Sequence, residues 1–188
     1  MRIIKILFLC MMLLSVSCGK VENEFSTIPC YLVIENNYHN DATLASAMTS
    51  AAPGIFCHIR QDIQGGVRCF VFKNNQGLES RKNFNARDLR RLYVLGGNNG
   101  LIVGFGNMDM PPVFYAYDNQ CPNCFDPNTI PIRNYPLSMS ADGIATCNTC
   151  KRKYNMNTGG NIIEGENGKK LTRYRAATSG PYGVLNVN

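Results

Sequence analysis

Short apolar runs alternate with polar, turn-forming stretches along the chain after residue 28. Each run is only about four to six residues long, which is the length of a β-strand rather than of a helix. Asn, Asp and Gly, which are typical of turns, fill the gaps. The pattern predicts an all-β fold of short strands in a sandwich or barrel. The predicted strands are 31–34, 55–59, 67–72, 92–95, 101–105, 113–117, 144–147, 171–176 and 184–187.

Three local patterns add detail to this prediction. Asn98-Asn99-Gly100 separates two of the predicted strands, and Asn and Gly tolerate the positive φ of a tight hairpin turn. Asp41 precedes an Ala-rich stretch, so we expect it to cap a short helix over 41–48. A second break in the β pattern, over 85–92, predicts another short helix carrying Arg87, Arg90 and Arg91.

The composition is that of one ordinary globular domain. Of the 188 residues, 45% are hydrophobic and 17% are charged, which excludes a disordered chain, a collagen and a coiled coil. The formal net charge is +6, of which Arg2 and Lys5 of the N-terminal segment account for two charges, leaving +4. This excess is too small to indicate nucleic-acid binding, and the arginines of 85–92 have no interleaved aromatic residues.

The first 17 residues have the three parts of an export signal. A basic start is followed by an apolar run over 6–14, too short to span a bilayer, and by small residues at 15–17. Cys18 comes next, and this arrangement resembles the lipobox of bacterial lipoproteins, with Leu14 one position further from the cysteine than is usual. The resemblance implies that leader 1–17 is removed and that Cys18 carries a lipid. An ordinary secretory signal is the alternative.

The polar stretch after Cys18 shows no periodicity and predicts a flexible tether over 18–27, followed by a single domain over 28–188. Its Lys-then-acid composition resembles the export tethers of Bacteroidetes surface lipoproteins. The resemblance implies a cell-envelope protein, lipid-anchored to the outer membrane and either periplasmic or surface-exposed. The membrane is then one partner of the protein.

Four of the nine cysteines form two C-x-x-C pairs, Cys121 with Cys124 and Cys147 with Cys150. This spacing approximates a zinc ribbon, in which two tight turns supply four thiolates to one tetrahedral ion. Four thiolates on Zn²⁺ leave a net charge of −2, which the basic run 151–153 would partly offset.

The surrounding sequence has further features of a known fold. The segments are Phe114-Tyr115-Ala116-Tyr117-Asp118 before Cys121-Pro122, Gly143-Ile144-Ala145-Thr146-Cys147, Tyr154 followed by Thr158-Gly159, and Leu171-Thr172-Arg173-Tyr174. Together they resemble the Rieske fold over roughly residues 90–188. With the leader, the whole chain resembles the Rieske-like lipoproteins of Bacteroidetes.

The resemblance extends to architecture but not to the cluster chemistry. A Rieske centre uses two His and two Cys, whereas here Cys124 and Cys150 stand in for the His and no His follows His58. Rieske oxygenases and electron carriers are therefore not functional analogues. The resemblance implies a β-sandwich of two antiparallel sheets with a small, zinc-ribbon-like, two-loop metal-binding subdomain at about 115–160.

Three interpretations of the four cysteines remain open. Zinc suits the spacing and the ligand type directly. A four-cysteine [2Fe–2S] cluster or a mononuclear iron site is the second interpretation, because the parent fold binds iron. Two disulfides without a metal are the third, because an exported protein can oxidise its thiols. A disulfide between Cys57 and Cys69, or one using Cys30, is a further possibility beside free buried thiols.

No nucleophile constellation, acid–base pair, phosphate loop or open metal position is visible in the sequence. His39 and His58 lie outside any such pattern, and we expect both to be structural. We therefore expect a non-enzymatic envelope protein with a structural metal. Electron transfer through iron is the alternative, and a module that binds a glycan, peptide or envelope protein is another.

Overall fold

The structure is a computed structural model that describes residues 23–188. The predicted leader 1–17, the predicted lipidation site Cys18 and the first part of the predicted tether lie outside the described residues. Within this range no helix reaches the length and apolar content that a membrane span needs.

Thirteen strands, two short α-helices and three 3-10 turns make up the described part of the chain. The strands are β1 Leu32–Glu35, β2 Phe56–Gln64, β3 Val67–Asn74, β4 Glu79–Asn83, β5 Leu101–Phe105, β6 Phe114–Asp118, β7 Leu137–Met139, β8 Ile144–Cys147, β9 Lys153–Asn155, β10 Asn161–Glu164, β11 Arg173–Tyr174, β12 Ala176–Thr178 and β13 Val184–Val187. The helices are α1 Asn36–His39 and α2 Ala42–Ala47, and the 3-10 turns are Asp88–Arg90, Gly96–Asn98 and Met156–Thr158.

The strands form three sheets. A six-stranded sheet has the order β11-β6-β5-β2-β3-β4, a three-stranded sheet the order β1-β13-β12, and a four-stranded sheet the order β10-β9-β8-β7. Every paired strand within residues 23–188 is antiparallel to its neighbour. The predicted β-rich, antiparallel fold is confirmed, but the strands divide into three sheets rather than two.

The six-stranded sheet is buried on both faces at its centre. Successive residues of a strand point to opposite faces, and along β5 Leu101 and Val103 belong to one apolar cluster while Ile102 belongs to the other. Strand β6 shows the same alternation, with Ala116 in the first cluster and Tyr117 in the second. The first cluster includes residues of α2 and the three-stranded sheet, and the second includes residues of the four-stranded sheet.

The two predicted helices have different outcomes. Helix α2 forms where expected, and the Asp41 carboxylate accepts a hydrogen bond of 2.8 Å from the Leu44 N–H, as a helix cap does. The second segment forms only the 3-10 turn Asp88–Arg90. Its start is fixed by the Asn85 side chain, which accepts hydrogen bonds from two following backbone N–H groups and so favours a turn.

The cysteine pairs lie in one long excursion of the chain, residues 119–172, between two neighbouring strands. The chain leaves the six-stranded sheet at the end of β6 and returns in β11, where Arg173 lies opposite Tyr117. Asp118 stands at this junction and accepts hydrogen bonds from the N–H groups of Gly97 and Gln120 and from the Tyr174 hydroxyl. Burial raises the pKa of Asp118 despite these bonds. The excursion overlaps most of the predicted metal-binding subdomain at about 115–160.

The predicted hairpin at Asn98-Asn99-Gly100 is wrong. Strand β5 pairs with β2 and β6, and the segment 92–95 contributes only one bridge, from Val94 to Tyr31. The Gly100 N–H still bonds the Leu95 carbonyl at 2.9 Å, so the chain does turn here. The pattern identified the turn correctly but gave the wrong partner strand.

Candidate metal centre

Cys121, Cys124, Cys147 and Cys150 converge on one point. Their four Sγ atoms all lie within 4.8 Å of one another, with Cys121 3.7 Å from Cys150 and Cys124 3.8 Å from Cys147. A regular tetrahedron of sulfurs at the usual metal–sulfur distance of about 2.3 Å has edges of about 3.8 Å. Two of the six separations therefore match the edge of such a tetrahedron, all six are 4.8 Å or less, and the predicted ligand set comes together where it could hold one metal ion.

The first pair lies in a turn at the start of the long excursion. The N–H groups of Cys124 and Phe125 both donate to the Cys121 carbonyl, at 3.2 and 2.9 Å, and so curl the chain around the metal position. The Cys121 N–H donates to the Tyr135 carbonyl at 2.9 Å, which ties the turn to the chain entering β7. The turn is therefore fixed on both sides by backbone bonds.

The second pair forms the end of the β8–β9 hairpin. The Lys151 N–H donates to the Cys147 carbonyl at 2.9 Å, the same bond that Phe125 makes in the first turn. Lys151 adopts a left-handed conformation with φ of 61°. Non-Gly residues rarely adopt this conformation, so the turn is specified by the bonds on either side of it. The two turns therefore present their sulfurs in equivalent ways.

The four ligands differ in their exposure. Cys121 and Cys147 are buried, at 0% and 1% exposed, whereas Cys124 and Cys150 are half-buried. The buried sulfurs belong to the second apolar cluster, between the sheets. The centre therefore lies at the edge of the core, with one of its six edges directed toward the surface.

A hydrogen-bond network supports the buried side of the centre. The Tyr154 hydroxyl lies 3.3 Å from the Cys121 Sγ and 2.9 Å from the Asn123 Nδ2. Asn123 also bonds both backbone groups of Lys169: its Nδ2 donates to the carbonyl at 2.7 Å and its Oδ1 accepts from the N–H at 2.9 Å. A side chain at Gly168 would collide with this amide, so the close approach requires glycine.

The direction of the protons in this network follows from its partners. The Lys169 N–H is a donor, so the Asn123 Oδ1 must face it and the Nδ2 must face the Tyr154 oxygen. The Tyr154 oxygen is then an acceptor, and its own proton is free to point at the Cys121 Sγ. Cys121 accepts a hydrogen bond in this arrangement, which stabilises a thiolate and orients a metal ligand.

Burial and Arg152 divide the thiols into two classes. Burial raises the pKa values of Cys121 and Cys124 above the usual thiol range. Burial also acts to raise the pKa of Cys150, but the backbone N–H and guanidinium of Arg152 outweigh it and lower that pKa to about 6. An ion would have to displace the protons of Cys121 and Cys124, as zinc and iron do when they bind thiols.

The basic run 151–153 contributes one charge to the centre directly. Arg152 is only 11% exposed, and its guanidinium also bonds the Glu166 carboxylate at 3.2 Å. Lys153 pairs instead with Glu164 at 2.7 Å, and Lys151 is exposed. Arg152 is therefore the residue of this run that offsets the negative charge of the thiolates.

The possible disulfide between Cys57 and Cys69 is not supported. The two residues lie on paired strands, but Cys57 is opposite Asn74 and Cys69 is opposite Asp62. This offset of five residues separates them by about 17 Å along the strands, far beyond disulfide reach. Both are free, buried thiols, as is Cys30.

The two histidines occupy structural positions. His39 Nε2 lies 3.1 Å from the Asp88 carboxylate, which also accepts a hydrogen bond from Tyr93, and all three side chains are buried. His58 lies in β2 with no partner for its Nε2 within residues 23–188. Burial, with Arg60 nearby, lowers the pKa of His58 to about 4 and keeps it neutral.

Sequence reasoning missed the supporting role of Asn123, Tyr154 and Lys169. The only signals were the place of Asn123 between the first two cysteines and of Tyr154 four residues after the last one. Lys169 carried no signal, because it contributes backbone groups from 46 residues away. Searches against protein-family models, curated proteins and solved structures found no match to this chain.

We expect Tyr154→Phe to weaken metal binding by about 10- to 100-fold, because it removes the hydrogen bond to the Cys121 sulfur. Competition with a chelating zinc indicator would measure the change. Tyr117→Phe is the matched control, since the Tyr117 hydroxyl is equally buried but donates to the Met156 carbonyl rather than to sulfur. Equal metal affinities for the two variants would contradict the assignment.

Proposed function

We propose that this protein is a membrane-anchored envelope lipoprotein whose β-domain binds one structural zinc ion through Cys121, Cys124, Cys147 and Cys150. The observation that carries the proposal is the convergence of the four sulfurs within 4.8 Å of one another, with two of the separations at the edge length expected around one tetrahedral ion. Four protein ligands fill such an ion completely and leave no position for a substrate or a catalytic water. The centre then joins the two loops of the excursion and performs no chemistry.

The proposal of a non-catalytic role rests on how the polar groups are used. The buried carboxylates of Asp41, Asp88 and Asp118 each accept structural hydrogen bonds from neighbouring groups. His39 is engaged by Asp88, and His58 is enclosed near Gly100 and Asn119. We therefore propose that the domain binds or supports an envelope protein or glycan rather than acting as an enzyme.

The proposed location rests on the N-terminal sequence and on the resemblance to Bacteroidetes lipoproteins. An apolar leader followed by small residues and Cys18 supports cleavage and lipid attachment. The all-β antiparallel domain with two metal-binding loops is compatible with a Rieske-like architecture. We propose the outer membrane as the anchoring site.

Electron transfer through iron is the second candidate function, and one observation favours it. The half-buried Cys124 and Cys150 bring two ligand sulfurs to the surface, where a redox partner can approach closely. One mononuclear iron has the same tetrahedral requirement as zinc. A two-iron cluster would place its cysteine pairs further apart, because bridging sulfides lie between the metals. Iron in this role would therefore be mononuclear.

We expect the purified protein, prepared under reducing conditions without added metal, to contain about one zinc per chain and to be colourless. Elemental analysis together with a visible absorption spectrum would measure both properties. If the protein contains iron and shows a thiolate-to-iron absorption band, electron transfer becomes the favoured function instead of the structural one. If the protein contains no metal and a thiol assay counts four fewer free thiols than the number of cysteines, the four cysteines form disulfides.

We expect Cys147→Ser to lower the free energy of unfolding by more than about 4 kcal/mol. The variant loses the ion, and with it the metal-binding free energy that stabilises the folded state. Chemical denaturation with and without a chelator would measure this. Cys69→Ala is the control: it removes a buried thiol of strand β3 that does not belong to the four-cysteine group, so the stability of this variant should stay sensitive to the chelator. Chelator sensitivity that persists in Cys147→Ser would contradict a structural metal at this position.

We expect Cys18→Ala to move the protein from the membrane fraction to the soluble fraction, because it removes the proposed lipid attachment site. Fractionation of cell envelopes followed by detection of the protein would show this. Cys10→Ala changes the other cysteine of the N-terminal segment and should leave the protein in the membrane fraction. Retention of the Cys18 variant would refute the anchor.

A further inference from the structure

The last part of the predicted tether is not free of the domain. The Ser26 N–H donates to the Arg173 carbonyl at 2.8 Å, and the Glu24 carboxylate accepts from the Arg173 guanidinium at 2.7 Å. The Phe25 ring lies against two guanidinium groups, 5.1 Å from that of Arg173 and 4.6 Å from that of Arg175. Residues 24–26 are therefore docked beside strand β11.

This docking shortens the connection between Cys18 and the domain. Only five residues, 19–23, separate Cys18 from Glu24. A fully extended chain spans at most about 3.6 Å per residue, so the two α-carbons can be no more than about 22 Å apart. An anchor at Cys18 would keep the surface around Glu24 close to the bilayer.

The surface at this exit point is basic. Lys169, Lys170 and Arg175 lie beside the docked segment, and none of them forms an ion pair with another residue of 23–188. Arg173 is the exception, because Glu24 neutralises it. A groove of about 270 Å³ between the docked segment and residues 169–173 separates the two lysines from Glu24. The exit surface therefore carries three uncompensated positive charges.

We propose that this exit surface, formed by Glu24–Ser26, Lys169, Lys170, Arg173 and Arg175, lies against the anionic lipid headgroups of the membrane to which Cys18 tethers the protein. The proposal rests on the lipid anchor of the proposed function. Basic residues within a Debye length of an anionic membrane are attracted to it, and a connection of at most about 22 Å lets the domain turn these residues onto the membrane surface. The domain then has one preferred orientation on the bilayer.

The orientation places the four-cysteine centre near the membrane. Lys169 belongs to the exit surface and is bonded through both backbone groups to Asn123, which lies between two of the ligands. Lys169 also lines the surface depression beside Cys124. The half-exposed edge of the metal centre therefore adjoins the membrane-facing surface. A partner that contacts this edge would itself be at the membrane.

The absence of Trp from the sequence offers a direct test. Thr27→Trp places a single fluorophore at the exit surface, and Leu78→Trp places one on the exposed β3–β4 turn. Strand β4 lies five strand positions from β11, or about 24 Å away across the sheet. The full-length lipidated proteins would be reconstituted in vesicles containing phosphatidylglycerol and a headgroup-level quencher lipid. Flotation of the vesicles reports the anchor separately.

We expect the Thr27→Trp signal to be quenched at least twofold more than the Leu78→Trp signal at low salt, and this difference to shrink in phosphatidylcholine vesicles or at high salt. The combined change Lys169→Glu, Lys170→Glu and Arg175→Glu should abolish the difference without affecting flotation. A matched triple change at basic residues outside the exit surface, Lys73→Glu, Lys82→Glu and Arg90→Glu, should preserve it.

Two outcomes would overturn the proposal in distinguishable ways. The orientation would be refuted, with the anchor intact, if the proteins float but the two reporters are quenched equally. It would also be refuted if the difference in quenching does not change when the exit-surface charges are reversed. Proteins that do not float would refute lipid attachment at Cys18, and the orientation with it.

Discussion

Four sulfur atoms from two separate loops must occupy the corners of one small tetrahedron, and much of the excursion 119–172 is arranged to meet this constraint. Thiolates at such distances repel one another strongly unless a cation lies between them. One divalent ion cancels two of the four charges, and Arg152 opposes part of the remainder. Binding of an ion by the four cysteines would therefore be coupled to the ordering of the two loops.

The six-stranded sheet provides the fixed surface on which this excursion is built. Tyr117 and Phe56 of that sheet pack with Tyr154 and the buried cysteines in the second apolar cluster. The first cluster, on the opposite face, contains no ligand of the centre. Asp118 links the two layers at the point where the excursion begins, through bonds to Gly97, Gln120 and Tyr174. The six-stranded sheet thus positions the two loops that carry the four cysteines.

The features that sequence reasoning predicted are those encoded locally. The C-x-x-C spacing identified the four ligands, and Asp41 identified the start of α2. Strand β4 was not predicted, because Glu79–Asn83 is an edge strand whose sequence lacks alternating apolar residues. Pairing and register depend on distant residues, so the predicted hairpin at Asn98-Asn99-Gly100 was wrong and the possible Cys57–Cys69 disulfide could not be decided without the register of β2 and β3. The Asn123 network, which spans up to 46 residues, was missed for the same reason.

The two sides of the metal centre differ, and this difference bears on its function. On the inner side Cys121 accepts a hydrogen bond from Tyr154, while on the outer side Cys124 and Cys150 are half-buried. A structural ion needs the four ligands and the hydrogen bond from Tyr154, but it needs no access from the surface. Electron transfer would also use the outer edge, and Lys169 places that edge beside the docked segment 24–26. The structural role and electron transfer therefore require the same four ligands, and the identity of the bound ion, zinc or iron, distinguishes them.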